Sequence, residues 1–129
     1  MEKRNLSTKE IEDLAIKYVE DYLESRGEEH KVTKKGIDVI SGEKLIEVKG
    51  CMKKETNLRI TQQTVNYLEK NNKANAFFIY YVFDMESEPK LLIFDNNTFQ
   101  KNKICETRWI IQPRKIKEKI EPIQLRKLS

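Results

Sequence analysis

A mixed β-sheet flanked by helices, in an α/β fold, is what this 129-residue sequence predicts, and three observations predict it. An amphipathic stretch with a helix-start signal opens the chain. Two short apolar runs joined by a glycine-containing link then read as a hairpin. Finally, residues 76–83 (AFFIYYVF) form a run apolar on both faces, as a central strand must be.

Taken in order, Ser7-Thr8-Lys9-Glu10 is a capping box, with the serine oxygen facing early amides and Glu10 reaching back. Ile11, Leu14, Ala15, Tyr18, Val19, Tyr22 and Leu23 then recur at helical spacing, and Gly27 ends the helix. Residues 28–35 are polar, with a short strand expected around Val32. Residues 37–49 form the hairpin, and 53–57 a polar loop. Thr61 caps a second helix that runs through Val65 and Leu68 to about Asn71. After the strand of 76–83, residues 84–89 turn the chain, and 91–94 return as its hairpin partner. Domain organisation reads as one domain over 1–112 followed by a basic tail over 113–129.

Charge and composition narrow the function. Charged residues are 36% of the chain, and no apolar run approaches membrane-spanning length. The charged start, Met1-Glu2-Lys3-Arg4-Asn5, lacks a signal-peptide apolar region, so a cytoplasmic protein is expected, with no membrane partner. Cys51 and Cys105 are too isolated for a zinc site or a disulfide framework and read as free thiols. Residues 1–30 carry nine acids against five bases, whereas the tail from Arg114 carries six bases against two acids. An acidic first helix beside a basic remainder suits a protein that grips phosphate with one surface, although a solvated lysine-rich exterior would look the same. His30 is the only histidine and reads as a solvent residue, which argues against triad hydrolysis. Without a glycine-rich phosphate loop, a nucleotide-hydrolysing motor or kinase is not supported. Trp109 reads as a core or edge-strand aromatic.

The chemistry lies in the hairpin. Gly36-Ile37-Asp38-Val39-Ile40 and Leu45-Ile46-Glu47-Val48-Lys49-Gly50 each carry an acid inside an apolar run, where charge is normally avoided. Antiparallel pairing brings Asp38 near Glu47, and strand alternation puts Glu47 and Lys49 on one face. Two carboxylates suit a hard, oxygen-seeking cation, and a lysine beside them can stabilise charge or orient water, as metal-assisted phosphodiester hydrolysis requires.

This D-x8-E-V-K pattern resembles the PD-(D/E)XK nuclease signature, with Ile37 where the proline would stand. Its wording is most similar to the C-terminal domain of NO VEIN-type proteins, and it is also similar to archaeal Holliday-junction resolvases and Mrr-type restriction endonucleases. The resemblance covers roughly residues 11–83. It implies a restriction-endonuclease-like core and a Mg²⁺-dependent endonuclease acting on DNA, with Mn²⁺ as a substitute. Asp38 and Glu47 would ligate the cation together with the Val48 carbonyl, and Lys49 would serve the attacking water. Related nucleases place a first-helix glutamate at the metal; Glu12 fits that role, and Glu10 is its rival. Gln63 and Tyr67, one helical turn apart, are similar to a pair that orients the active site in RecB-like nucleases. Lys31, Lys34, Lys35, Lys53, Lys54 and Arg59 flank the hairpin as candidate phosphate contacts, though each is also an ordinary loop residue. One subunit supplies one centre, so cutting both strands calls for a homodimer or two binding events. A nucleic-acid-binding module that keeps the fold without cutting is the alternative.

Overall fold

The computed structural model describes residues 6–33, 37–70, 74–105 and 109–128. Helix α1, Thr8–Ser25, starts at the expected capping box: the Glu10 amide donates to Ser7 Oγ and the Ser7 amide to Glu10 Oε1, each at 3.1 Å. Its periodic apolar face buries Ala15, Tyr18, Val19 and Leu23, and Gly27 leaves the helix at φ +70°.

Strands β1 (Lys31–Val32), β2 (Val39–Ser41) and β3 (Lys44–Gly50) form an antiparallel meander. The β2–β3 turn is tight because Gly42 adopts φ +59°. The chain continues through β4 (Leu58–Ile60), α2 (Gln62–Lys70) and a single 3₁₀ turn into β5 (Phe77–Phe83), which lies parallel to β3. Strand β6 (Lys90–Asp95) returns antiparallel to β5. Helix α3 (Asn96–Asn102), strands β7 (Ile104–Cys105) and β8 (Trp109–Ile111), the short helix α4 (Pro113–Ile116) and β9 (Ile123–Gln124) complete the chain.

Six strands in the order β1-β2-β3-β5-β6-β9 make one mixed sheet, and β4-β8-β7 make a small antiparallel one. Each face of the large sheet has its own core. Ile46, Val48, Tyr80 and Val82 meet α1 on one side. Leu45, Phe77, Ile79, Tyr81 and Phe83 meet Phe99 of α3, Ile116 of α4 and the small sheet on the other. Burial on both sides explains why β5 is apolar throughout. The expected mixed α/β architecture is therefore the observed one.

Two features differ from the sequence reading. His30 is not a solvent residue: its side chain is only 10% exposed, with Nε2 2.8 Å from Glu20 Oε2. That hydrogen bond raises the imidazole pKa above its ordinary value. The polar residues around His30 concealed its burial, because its partner lies ten residues back on α1. Residues 113–128, set apart above as a basic tail, pack onto the domain. Pro113 and Ile116 are buried, β9 extends the large sheet beside β6, and the Leu128 amide donates to Tyr18 Oη at 3.1 Å. Lysines between these apolar residues gave the segment its tail-like composition. Among the described residues, no helix is long and apolar enough to cross a membrane.

Candidate metal centre

Register places the two acids of the hairpin. Val39 pairs with Ile46, so the next step toward the open end sets Asp38 opposite Glu47. Asp38 Oδ2 accepts a hydrogen bond from the Val48 amide at 2.8 Å, which fixes the carboxylate against β3. A strand residue sends its N–H and C=O to the same edge, so the Val48 carbonyl leaves β3 on the side where Asp38 stands.

Glu47 is only 7% exposed, one of two buried polar residues among those described. It shares its face of β3 with Leu45, opposite to Ile46 and Val48. Its carboxyl is hydrogen-bonded to that of Asp38, and its pKa is pushed up to about 9. Burial is the main cause; the hydrogen bond and charge of Asp38 come next, Glu12 adds a little, and Lys49 opposes them. A carboxyl this buried, hydrogen-bonded to a second, half-buried one, takes up a proton or needs a cation.

A cleft of about 300 Å³ opens over the pair. Its walls are Glu12 from α1, Ile37, Asp38 and Glu47 from the hairpin, and Thr61, Gln63, Thr64 and Tyr67 from the start of α2. Helix α2 begins here because Thr61 Oγ1 accepts from the Thr64 amide at 3.3 Å. Gln63 and Tyr67, one turn apart, therefore present themselves to the acids. Lys49 is half-buried and lines an adjoining groove with Glu12, Val48 and Gly50. Asp38, Glu47, Lys49, Glu12 and Gln63 are thus gathered, with the Val48 backbone beside them. Glu10 is engaged in the capping box.

The basic residues are less closely gathered. Lys53 and Lys54 are exposed, and Lys54 lines a different groove with Lys90 and Lys117, where Lys117 pairs with Glu55. Arg59 is exposed on β4 between buried Leu58 and Ile60, two residues before the Thr61 wall of the cleft. Lys34 and Lys35 lie outside the described residues. Thr64 escaped the sequence reading; its place one turn after the capping Thr61 was the available signal. Trp109 stands on β8, the middle strand of the small sheet, and packs half-buried against the core rather than on an edge, with Nε1 donating to Gln62 Oε1 at 2.9 Å and the Lys103 ammonium 4.7 Å from its ring centre. Among the described residues, three ligand-bearing side chains come within 4.8 Å of one another only at Glu20, Glu24 and His30, at the far end of α1, where the His30–Glu20 pair already accounts for two of them; Glu12 shares the cleft with Asp38 and Glu47 but stands farther than that from the pair.

The family model described as "Protein NO VEIN, C-terminal" matches residues 11–94. That span runs from the first turns of α1 into β6 and contains every residue of the cleft. Searches of curated proteins and of solved structures found no match.

Proposed function

The chain belongs to the NO VEIN C-terminal domain family, and from that premise we propose that it is a Mg²⁺-dependent nuclease of PD-(D/E)XK type acting on DNA phosphodiesters. One observation carries the reading: a buried Glu47 carboxyl hydrogen-bonded to Asp38 at the floor of an open cleft, with Lys49 beside it. A fold stabilises itself better with apolar groups than with a buried acid set against a second one, so such a pair calls for a use.

The donor set fits the cation. Mg²⁺ favours oxygen ligands, keeps several waters and needs few protein carboxylates. Asp38 and Glu47 would hold it with the Val48 carbonyl, and Glu12 extends the acidic wall. When bound, Mg²⁺ supplies Lewis-acid charge at the scissile phosphate. The remaining work falls to the chain itself. The Val48 amide keeps Asp38 in one orientation, so little rearrangement precedes reaction. The Lys49 ammonium orients the attacking water and offsets the negative charge that grows on the phosphoryl oxygens as the P–O bond to the leaving group breaks. Gln63 and Tyr67 offer polar groups that orient the phosphate or the water from the opposite wall.

A binding module that keeps the fold without cutting is the second reading. What favours it is that burial and the Asp38 hydrogen bond hold Glu47 protonated at neutral pH, so that the pair is satisfied without a cation. Incubating the purified chain with branched, duplex and single-stranded substrates decides between them. Cleavage that requires Mg²⁺ or Mn²⁺, stops with chelator and is lost in Asp38→Ala supports the nuclease; binding without cleavage under any metal supports the module.

A further inference from the structure

Gly50 ends β3 directly after Lys49, where α1 crosses the strand. A Cβ at this position would stand 2.6 Å from Ala15 Cβ, 3.2 Å from Met85 Cε and 3.4 Å from the Ile11 carbonyl oxygen. The Met85 methyl terminates a flexible side chain and can move. Ala15 is fully buried on the inner face of α1, and its Cβ has no rotamer to turn away. Only a shift of the helix relieves that clash.

Such a shift would act on Glu12. Ile11 and Ala15 are one turn apart on α1, and Glu12 follows Ile11. Glu12 lines the groove it shares with Lys49 and Gly50 as well as the cleft over Asp38 and Glu47. We propose that Gly50 is a positioning residue: its bare Cα lets α1 lie against β3 at the height that sets Glu12 in the wall of the cleft over the Asp38–Glu47 pair. Restoring ordinary contact with Ala15 would lift the helix by about 1 Å, and misplacements of that size cost about 10²-fold in catalysis. The proposal rests on the nuclease reading for its cleavage measurement alone; cation binding tests it independently.

The experiment compares the full chain with Gly50→Ala, Glu12→Gln and the double variant Gly50→Ala/Ala15→Gly, which removes the methyl that the new one would strike. Mn²⁺ affinity is measured by calorimetry, Mg²⁺-dependent cleavage on DNA, and folding by circular dichroism. Gly50→Ala should match Glu12→Gln, with Mn²⁺ affinity weakened about tenfold and cleavage reduced at least as much. The double variant should recover most of both. A folded Gly50→Ala that binds Mn²⁺ like wild type overturns the proposal. So does a double variant no better than the single one, or a wild type that binds no Mn²⁺. If Gly50→Ala does not fold, the double variant decides: folded with near-native affinity it supports the contact, and unfolded or weakly binding it refutes it. Should the Mn²⁺ pattern hold while no variant cuts DNA, the positioning role stands and the nuclease reading falls.

Discussion

The Val48 amide donates to Asp38 Oδ2 at 2.8 Å, so one carboxylate oxygen is committed to the strand that carries Glu47 and Lys49. Asp38 is therefore both a candidate ligand and a fastener of the open end of the hairpin. These two roles can be separated. Asp38→Asn keeps an acceptor for the Val48 amide and removes the charge, whereas Asp38→Ala removes both. In chelator, urea unfolding should find Asp38→Ala less stable than Asp38→Asn by about 1 kcal/mol, the usual net value of one such hydrogen bond. Both should lose tight Mg²⁺ binding. Equal stability of the two variants would mean that the 2.8 Å contact fastens nothing.

Burial and Asp38 raise the Glu47 carboxyl from its ordinary 4.5 to about 9. The folded chain thus binds this proton more tightly than the unfolded one, so the contribution to stability is full below about pH 4.5 and declines as pH rises toward 9. Thermal melts of the metal-free protein should fall across that window, and Glu47→Gln should flatten the fall. His30, raised by its bond to Glu20, acts in the same direction above 6.5, and it cancels when wild type and Glu47→Gln are compared. Added Mg²⁺ should stabilise wild type more at the alkaline end, where less proton must be displaced. An unchanged pH slope in Glu47→Gln would place the titration elsewhere.

Much of the centre was legible in the sequence because charge inside an apolar run is costly, and Asp38 and Glu47 each sit in one. Strand alternation then fixed the faces of Glu47, Val48 and Lys49, and helical spacing paired Gln63 with Tyr67. Less could be read where elements are too short to show a period. Leu58–Ile60 and Trp109–Ile111 are three-residue strands, and only the pairing of β8 with β4 on one side and β7 on the other makes them a sheet. The burial of His30 depends on Glu20, a contact made across the helix end that no local pattern reports. Gly50 looked like the end of a strand; its closeness to Ala15 is a tertiary fact.

Exposed cations test the surface around the cleft. Replacing Lys53, Lys54 and Arg59 by Ala should leave stability within about 0.5 kcal/mol, since all three are exposed. DNA affinity should fall, and its salt dependence should flatten by roughly 0.9 log units for each phosphate that these side chains no longer neutralise. Arg59, two residues before the Thr61 wall, should account for more of the effect than Lys54, which lines a different groove. Fluorescence anisotropy across a salt series measures both quantities, and unchanged affinity at low salt removes this loop and strand from the binding surface.

Lys49 separates chemistry from binding. It opposes the raised pKa of Glu47, so its positive charge reaches the carboxylates, yet an ammonium offers a cation no ligand. Lys49→Ala should therefore keep or slightly strengthen Mg²⁺ binding, because a nearby positive charge is gone. Cleavage should nevertheless be lost, since the ammonium that orients the water and offsets charge at phosphorus is gone. Asp38→Ala should lose cleavage and tight Mg²⁺ binding together, because a ligand oxygen is gone. Its DNA affinity without metal should survive or rise, as one fewer carboxylate repels phosphate. A non-cutting module gives a different pattern: no cleavage by any of the three proteins, with similar DNA binding by all. A contaminating enzyme gives equal cleavage in all three. Single-turnover assays with Mg²⁺, Mn²⁺ and chelator, run beside calorimetry, distinguish these patterns. If wild type and Asp38→Ala cut at the same rate, the Asp38–Glu47 pair is not the seat of the activity.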